Sequence, residues 1–479
     1  MRVANTLSMM STASDPKCYS IAIIGGGITG AVAAQTLVSN KSDINIHVDI
    51  YDQGRRGVGG RTSSRAFEND KLLMRWDHGC QFFRADTNQF TDIVKDWIEN
   101  DFVREWKGQF ISAIPDTGNN TSIDFFGLPS SPPFYVGKDG MQSISKGILD
   151  DLAATTPTKL GVYTGTRVAQ MEQNKSAKRW NLFGTSGMAA YHDTPERIAK
   201  QKPQDKQVLL GEFAEGYDAV ILTDVSSSFG KWHRASAGVP ESFATKVRER
   251  VGSRVPLFTA MIAFEKQSNI PFDAATFDNG IVWFAAKSNS KPGMDSTDDD
   301  KKMAAECWTV VSTPEYAMKK IEETPMQDPK TGEFIPQSKE YLSTVPGPEL
   351  THAFCNDIKS IDGILKEGAL AEVPRVIYTD AQRWGSALPS HRHLNENSTT
   401  RKVIAGVPYD SGRAPLAPTS KQRRSNEHDN DRQLRSFLVD DELMLLQAGD
   451  MVSSYTPGLE GAALSGVDAA EYLLNKLLP

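Results

Sequence analysis

The stretch Ile21-Ala-Ile-Ile-Gly-Gly-Gly-Ile-Thr-Gly30 is an apolar run that leads directly into a cluster of glycines. Residues 19–24 have the uninterrupted, β-branched character of a buried parallel strand, and residues 31–38 continue as a helix that packs closely. A strand, a glycine turn and a helix in this order indicate the first unit of a dinucleotide-binding α/β domain. The alternative, a glycine-rich turn in some other α/β domain, stays open on this stretch alone.

The glycines have the spacing Gly25-x-Gly27-x-x-Gly30. Gly25 permits the tight turn, Gly27 lets backbone approach a pyrophosphate, and Gly30 allows the helix to lie against the strand. The phosphate charge then meets the helix N-terminus. The residues of this turn predicted to bind the cofactor are Gly25, Gly27, Ile28, Thr29 and Gly30.

A second strand follows, in which Ile44, Ile46, Val48 and Ile50 alternate. It ends at Asp52, 22 residues after Gly30. A carboxylate at this distance is placed to accept a hydrogen bond from a ribose 2′-hydroxyl. The order of strand, helix, strand and acid therefore favours the dinucleotide interpretation over its alternative.

A second glycine turn, Val58-Gly59-Gly60-Arg61-Thr62, begins six residues after Asp52. It adds backbone donors and the fixed cation of Arg61 to a pyrophosphate already held by the first turn. This turn resembles the GG motif of the flavin amine oxidase superfamily. Further motifs come in that superfamily's order: Trp76-Asp-His-Gly-Cys-Gln-Phe-Phe83, Gly140-Met-Gln-Ser-Ile144, Tyr217-Asp-Ala-Val-Ile-Leu-Thr223, and Gly449-Asp450 through Glu460-Gly461-Ala462.

Within that superfamily the chain is similar to the branch of renalase and its bacterial and plant relatives, over about residues 19–477. The resemblance implies FAD as cofactor and an α/β fold. The expected fold is a Rossmann-like FAD-binding domain of the GR2 type, interleaved with an α+β substrate domain built on an antiparallel sheet. The predicted FAD-binding domain comprises residues 19–85, 138–232 and 436–479, and the predicted substrate domain comprises residues 86–137 and 233–435.

The end of the chain completes the predicted cofactor site. Asp450 follows an apolar strand with Gly449 and is placed to hold ribityl or phosphate hydroxyls. The helix opened by Glu460, Gly461 and Ala462 directs its N-terminus to the flavin edge that gains negative charge on reduction. The resemblance also implies that the backbone of Val168 reaches the adenine side of FAD.

Three residues are predicted to act on the substrate. The resemblance implies that the segment carrying His78 and Gln81 runs past the flavin ring. Trp384 lies where the substrate domain returns over the flavin, and its indole either forms one wall of a flat slot or packs in the core. Phe82 and Phe83 fit a flavin-facing segment and a core equally well.

Composition excludes several classes of protein. The 479 residues carry a net charge of −7, with basic residues interspersed among acids, so nucleic acid is not an expected partner. The four cysteines form no CxxC pair, which argues against a disulfide reductase. No run approaches a membrane span, and neither a metal site nor a membrane partner is expected, since His391 and His393 lack a third ligand nearby.

Several segments are predicted to lie outside the two domains. Residues 1–18 are interpreted as a disordered tail of a cytoplasmic protein, or otherwise as a short organellar presequence. Residues 184–206, 295–302 and 414–435 are polar and are predicted to be inserted surface loops.

The predicted reaction follows from features that the sequence has and lacks. Amine oxidases of the superfamily usually place one tyrosine two residues before the Glu-Gly-Ala motif and another after a tryptophan. At the first of these positions this chain has Gly458. Renalase-type enzymes oxidise dihydronicotinamide isomers of NAD(P)H and pass the electrons to oxygen, which gives hydrogen peroxide. We therefore expect renalase-like oxidation of a small planar hydride donor. Amine or other small-molecule oxidation, a desaturase, and a non-catalytic flavin-binding protein are the alternatives.

Overall fold

The structure is a computed structural model, and it describes most of the chain. The described residues are 18–40, 44–68, 72–112, 133–186, 208–211, 213, 215–229, 238–252, 254–277, 280–295, 303–325, 328, 330, 335, 337–360, 373–389, 401–404, 407–410, 435–455 and 457–477. Residues 1–17, His391 and His393, and nearly all of the three predicted loops lie outside these ranges.

The strands are numbered in chain order over these residues. They are β1 (Cys18–Ile24), β2 (Asn45–Tyr51), β3 (Ser64–Glu68), β4 (Leu72–Asp77), β5 (Val103–Glu105), β6 (Phe110–Ser112), β7 (Tyr135–Gly137), β8 (Leu160–Tyr163), β9 (Thr166–Asn174), β10 (Arg179–Ser186), β11 (Val208–Leu209), β12 (Ala219–Leu222), β13 (Arg254–Phe264), β14 (Ala274–Thr276), β15 (Val282–Lys287), β16 (Met303–Ala304), β17 (Glu306–Ser312), β18 (Val376–Pro389), β19 (Arg401–Ile404), β20 (Val407–Asp410), β21 (Leu438–Asp440) and β22 (Leu445–Gln447).

The helices are numbered in the same way. They are α1 (Ile28–Val38), α2 (Asn88–Glu99), α3 (Gln142–Thr155), α4 (Glu241–Val251), α5 (Pro314–Glu323), α6 (Lys339–Thr344), α7 (Pro346–Ser360) and α8 (Leu459–Leu477). No helix of the described ranges is both long and apolar enough to cross a membrane.

The first sheet has the strand order β21-β22-β12-β1-β2-β8. Its strands from β22 to β8 run parallel, and β21 is antiparallel to β22. Because β1 is central, both of its faces are covered: Ile21 and Ile23 pack in the cluster that contains α1 and α8, whereas Ala22 packs with Trp180 on the other side. The predicted α/β, Rossmann-like fold class is confirmed.

The second large sheet has the order β18-β13-β17-β15-β14-β6 and is antiparallel except for the parallel pair of β14 and β6. Helices α5 and α7 pack on one face, around Phe258, Ile262 and Phe354. From the other face, Met261 contacts Trp76 in the cluster that joins this sheet to β4. The predicted antiparallel sheet is therefore present, and its role as part of a substrate domain stays a prediction.

Three local predictions differ from the structure. The apolar period of residues 88–105 predicts one amphipathic helix, but α2 ends at Glu99, because Asp101 has a φ of 63° and the chain then pairs as β5 with β7. The sequence of residues 162–171 predicts a single strand, but the turn at Gly165 divides it, so that β8 joins the parallel sheet and β9 joins a small sheet with β10 and β11. Cys18 was predicted to end the tail but begins β1.

Candidate functional site

The first glycine turn lies at the carboxyl end of β1, beside the start of α1. Gly25 has a φ of 110°, and a Cβ there would lie 2.2 Å from Thr223 Oγ1. A Cβ on Gly30 would lie 2.0 Å from the carbonyl oxygen of Gly25. Only glycine fits at either position, so the turn brings the N-terminus of α1 directly against the end of the sheet.

Asp52 closes the same end of the sheet from β2. Its Oδ2 accepts the N–H of Gly26 at 2.7 Å, and its Oδ1 accepts the N–H of Gly54 at 2.6 Å. Burial raises the pKa of this carboxyl, and the two N–H groups oppose that shift. Each carboxylate oxygen has a second lone pair, so acceptance from a ribose hydroxyl stays compatible with this geometry and stays a prediction.

The second glycine turn lies beside the first. A Cβ on Gly27 would lie 3.5 Å from the carbonyl oxygen of Gly59, so backbone meets backbone there. Gly59 and Gly60 have φ values of 142° and 57°, and nothing lies within 4 Å of a Cβ built on Gly60. The two turns and the N-terminus of α1 therefore line one site where backbone is directly accessible to a ligand. Binding of a pyrophosphate requires such a site.

Arg61 and Asp450, which the sequence assigned separately to the cofactor, bind each other. Arg61 donates to both carboxylate oxygens of Asp450, one at 2.9 Å, and also to the carbonyl oxygen of Ala387 at 3.1 Å. The Arg61 side chain is 35% exposed, whereas that of Asp450 is 2% exposed. The guanidinium therefore links the second turn to the segment after β22, while part of the Arg61 side chain stays exposed.

The first turn of α8 also contacts the segment that precedes α2. Glu460 is buried, and its carboxylate accepts the N–H groups of Asp86 at 2.8 Å and Thr87 at 3.1 Å, just before α2. Burial raises the pKa of this carboxyl above its ordinary value. Its side chain is thus engaged by protein, and the cofactor contacts of Glu460, Gly461 and Ala462 stay predictions. The Val168 side chain is in the core, so only its backbone is available for the predicted contact.

The segment that follows β4 carries His78. Its carbonyl oxygen accepts from Trp384 Nε1 at 2.7 Å and from Thr259 Oγ1 at 2.8 Å, so β18 and β13 of the second large sheet hold it. Burial, together with the nearby cations Arg65 and Arg56, lowers the pKa of His78 to about 3. The imidazole is therefore neutral at physiological pH.

Trp384 lies on β18, and its indole is half-buried. The ring lies 5.5 Å from the imidazole of His78 between centroids, and a Cβ on Gly79 would lie 3.1 Å from its edge. Gly79 also packs against the backbone of the second glycine turn, since the same Cβ would lie 2.1 Å from the carbonyl oxygen of Arg61. The structure thus brings Trp384, His78 and the Arg61 turn together, with part of the indole exposed.

Comparison with known proteins adds two findings. Residues 23–97 match the family described as NAD(P)-binding Rossmann-like domain. The matched residues contain the first glycine turn, α1 and β2 of the parallel sheet.

Among solved structures, the chain is similar to a candidate protoporphyrinogen oxidase from Exiguobacterium sp. 255-15, with a TM-score of 0.51, 12% identity, and coverage of 96% of this chain and 99% of that one. An oxidoreductase from Methanosarcina mazei has a TM-score of 0.49, 11% identity, and coverage of 94% and 100%. Putrescine oxidase bound to putrescine has a TM-score of 0.49, 11% identity, and coverage of 96% and 99%. At these identities the likeness to the first structure shows a shared fold.

The sequence did not reveal an ion pair beside the Rossmann-like domain. Lys291 Nζ lies 2.9 Å from Asp77 Oδ2, and both side chains are fully buried. Gln81, predicted as a catalytic residue, takes part: its Oε1 accepts from Lys291 at 3.3 Å, and its Nε2 donates to the carbonyl oxygens of Asp77 and Gly79. The available signal was Asp77, an acid placed just before His78-Gly79 in an apolar segment. Its partner Lys291 lies 214 positions away in the sequence.

The two aromatic residues after Gln81 differ in their surroundings. Phe83 is a core residue of the cluster around Phe90 and Trp97. Phe82 is half-buried and contacts the rings of Trp106, Phe134 and Phe284. Within the described part of the chain, His, Cys, Asp and Glu side chains form no group that could hold a metal ion.

Proposed function

We propose that this protein is an FAD-dependent oxidoreductase that oxidises a small planar hydride donor, a dihydronicotinamide isomer of NAD(P)H. Oxygen is the proposed acceptor and hydrogen peroxide the product. The observation that carries the proposal is the convergence of two glycine turns, the N-terminus of α1 and the Arg61–Asp450 pair at one end of a parallel sheet. The proposed location is the cytoplasm.

The residues present fit FAD. The turn from Gly25 to Gly30 leaves backbone for a pyrophosphate, and the second turn at Gly59 and Gly60 extends that surface toward Asp450. Arg61, with one side open, adds a cation where the phosphates bind. Asp52 is proposed to hold the adenine-side ribose, Val168 the adenine through its backbone, and Asp450 the ribityl or phosphate hydroxyls.

FAD, when bound, supplies a flavin that accepts a hydride at N5. The protein must then hold the donor carbon close to the ring and exclude water. The exposed part of the Trp384 indole is proposed to form one wall of a slot in which a planar ring lies parallel to the flavin. Its Nε1 bond to the carbonyl oxygen of His78 fixes the plane of that wall.

The acids and the histidine around this place favour a substrate that needs no proton removed. Asp77, Asp380 and Asp450 each pair with a cation, namely Lys291, Arg65 and Arg61. His78, with a pKa lowered to about 3 by burial, is a poor base. Since a dihydronicotinamide loses hydride without first losing an N–H proton, these paired groups are compatible with its oxidation. An amine substrate would need a free base.

The cofactor part is tested by purification and by one variant. We expect the wild-type protein to be yellow, and Asp52→Ala to lose about 1.5–3 kcal/mol of FAD affinity, since it removes a charged acceptor. Flavin fluorescence measures that affinity. A protein that purifies with NAD and without flavin absorbance would refute the FAD assignment.

The reaction is tested by anaerobic bleaching of the flavin with a panel of dihydronicotinamide isomers and amines. We expect the isomers to bleach it and Trp384→Ala to slow that reduction at least about tenfold, or about 1.4 kcal/mol, with FAD content unchanged. Phe67→Ala, which alters an exposed aromatic residue on β3, is the matched control. Bleaching by amines alone would favour amine oxidation, and bleaching by none of the donors would favour a non-catalytic flavin-binding protein.

A further inference from the structure

We infer that Lys291 is a positioning residue, which holds residues 77–83 in the shape that the substrate slot requires. The inference rests on the proposed function, because that segment matters only if Trp384 forms the slot wall. Lys291 Nζ contacts both Asp77 Oδ2 at 2.9 Å and Gln81 Oε1 at 3.3 Å. It thus ties the two ends of the turn that contains His78 and Gly79.

The partner carboxylate is anchored on its other oxygen. Asp77 Oδ1 accepts from Ser64 Oγ at 2.6 Å and from the N–H of Met141 at 2.8 Å. These donors belong to β3 and to the residue before α3. Because every arm of Asp77 is held, the ammonium of Lys291 meets a carboxylate that cannot turn away.

The turn that carries Lys291 is itself docked on the same elements. After the 3₁₀ turn Ser288–Ser290, the carbonyl oxygen of Pro292 accepts the N–H of Asp139 at 3.1 Å. The carbonyl oxygen of Gly293 accepts from Arg75 Nη1 at 3.2 Å. Lys291 therefore projects from a segment of the substrate half that is fixed against β4 and the turn before α3.

Net stability is a weak explanation for such a pair. The Lys291 and Asp77 side chains are both fully buried, and removing two charges from water cancels most of the energy gained from their attraction. An apolar pair of similar size often stabilises a fold as well. The ion pair instead fixes the geometry of residues 77–83. Contacts of Gln81 and Gly79 connect that segment to the wall of the proposed slot.

These contacts run from Lys291 to Trp384. Gln81 Nε2 donates to the carbonyl oxygens of Asp77 at 2.6 Å and Gly79 at 3.0 Å, while its Oε1 accepts from Lys291. Gly79 lies against the edge of the Trp384 ring and the backbone of Arg61. A shift of Gln81 would therefore move Gly79 between the glycine turn and the indole.

The experiment compares Lys291→Met with the neutral pair Lys291→Met/Asp77→Asn. Asparagine keeps an acceptor for Met141 and Ser64 and leaves no buried charge, so the double variant should recover the melting temperature lost in the single variant. Hydrogen exchange is followed at Cys80 and Phe83, whose N–H groups donate to the carbonyl oxygens of Arg61 and Tyr135. Lys320→Met, which breaks the ion pairs with Glu323 and Glu349 far from this segment, is the control.

In the double variant we expect exchange at Cys80 and Phe83 to quicken at least about tenfold while global stability is retained. The limiting rate of flavin reduction should fall about tenfold, with a smaller change in the half-saturating donor concentration. A double variant with wild-type exchange and wild-type kinetics would overturn the inference. If the wild type is reduced by no donor, the proposed function fails, and the exchange data alone decide whether Lys291 orders the segment.

Discussion

Two ion pairs lie beside the Rossmann-like sheet, and they differ in how much of their side chains stays exposed. The planar guanidinium of Arg61 donates to both carboxylate oxygens of Asp450, and the Arg61 side chain is 35% exposed. The side chains of Lys291 and Asp77 are both 0% exposed. The first pair thus keeps part of the arginine side chain exposed, whereas the ammonium of Lys291 and both carboxylate oxygens of Asp77 have protein partners. The open pair is suited to bind a ligand, and the sealed pair is suited to fix a backbone.

Breaking the sealed pair should have the largest effect on stability. Lys291→Met leaves the Asp77 carboxylate buried without its cation, which should reduce the free energy of unfolding by about 3–5 kcal/mol. Urea unfolding measures it. The same change at Lys320, whose partners Glu323 and Glu349 are largely solvated, should cost about 1 kcal/mol or less. Equal losses in the two variants would contradict the distinction.

His78 should have an intermediate effect on stability, because its imidazole is buried without an opposite charge beside it. Its pKa is lowered from 6.5 to about 3 by burial and by Arg65 and Arg56. Below pH 6.5 the unfolded chain gains a proton that the folded protein does not, so stability falls as pH falls, by about 2 kcal/mol at pH 5.

The test compares urea unfolding of the wild type and His78→Gln at pH 7.5 and pH 5. The variant lacks the titrating group, so its loss of stability on acidification should be smaller by about 2 kcal/mol. An identical loss in both proteins would show that the imidazole is protonated in the folded state.

Altering the open pair should have the smallest effect on the fold and a selective effect on the cofactor. Arg61→Lys keeps the charge but cannot take both oxygens of Asp450, so FAD affinity should weaken by about 1 kcal/mol. The free energy of unfolding of the apoprotein should stay within about 0.5 kcal/mol of the wild type. Flavin fluorescence titration and urea unfolding separate these effects, and a large loss of apoprotein stability would show that the pair is structural.

The Rossmann-like half was predictable because its signals are local. Residues 19–52 contain a strand, a helix and a strand whose limits follow from apolar periodicity, and Gly30 is required by its close approach to the carbonyl oxygen of Gly25 within the same unit. The apolar run Ala219–Leu222 likewise predicts a buried strand, and it forms β12 beside β1. In these places residues that are close in sequence determine the local structure.

The contacts of the site were less predictable because they are distant in sequence. Arg61 and Asp450 were each assigned to the cofactor, and nothing in either motif showed that they bind each other across 389 positions. Glu460 belongs to a helix start, yet its carboxylate contacts the residues before α2. Lys291 lies in a turn without any motif, so its burial against Asp77 emerges only from the packing of two sheets.

The position of β22 has a consequence for how the protein is made. In the sheet order, β12 lies between β1 and β22, and α8 packs with α1 in one core. Residues 445–477 are translated after the strands of the second large sheet, which span residues 110–389. On the ribosome that sheet can therefore form while β12 still has an unpaired edge and α1 an uncovered apolar face. Chaperones that bind nascent chains should engage these two surfaces until α8 emerges.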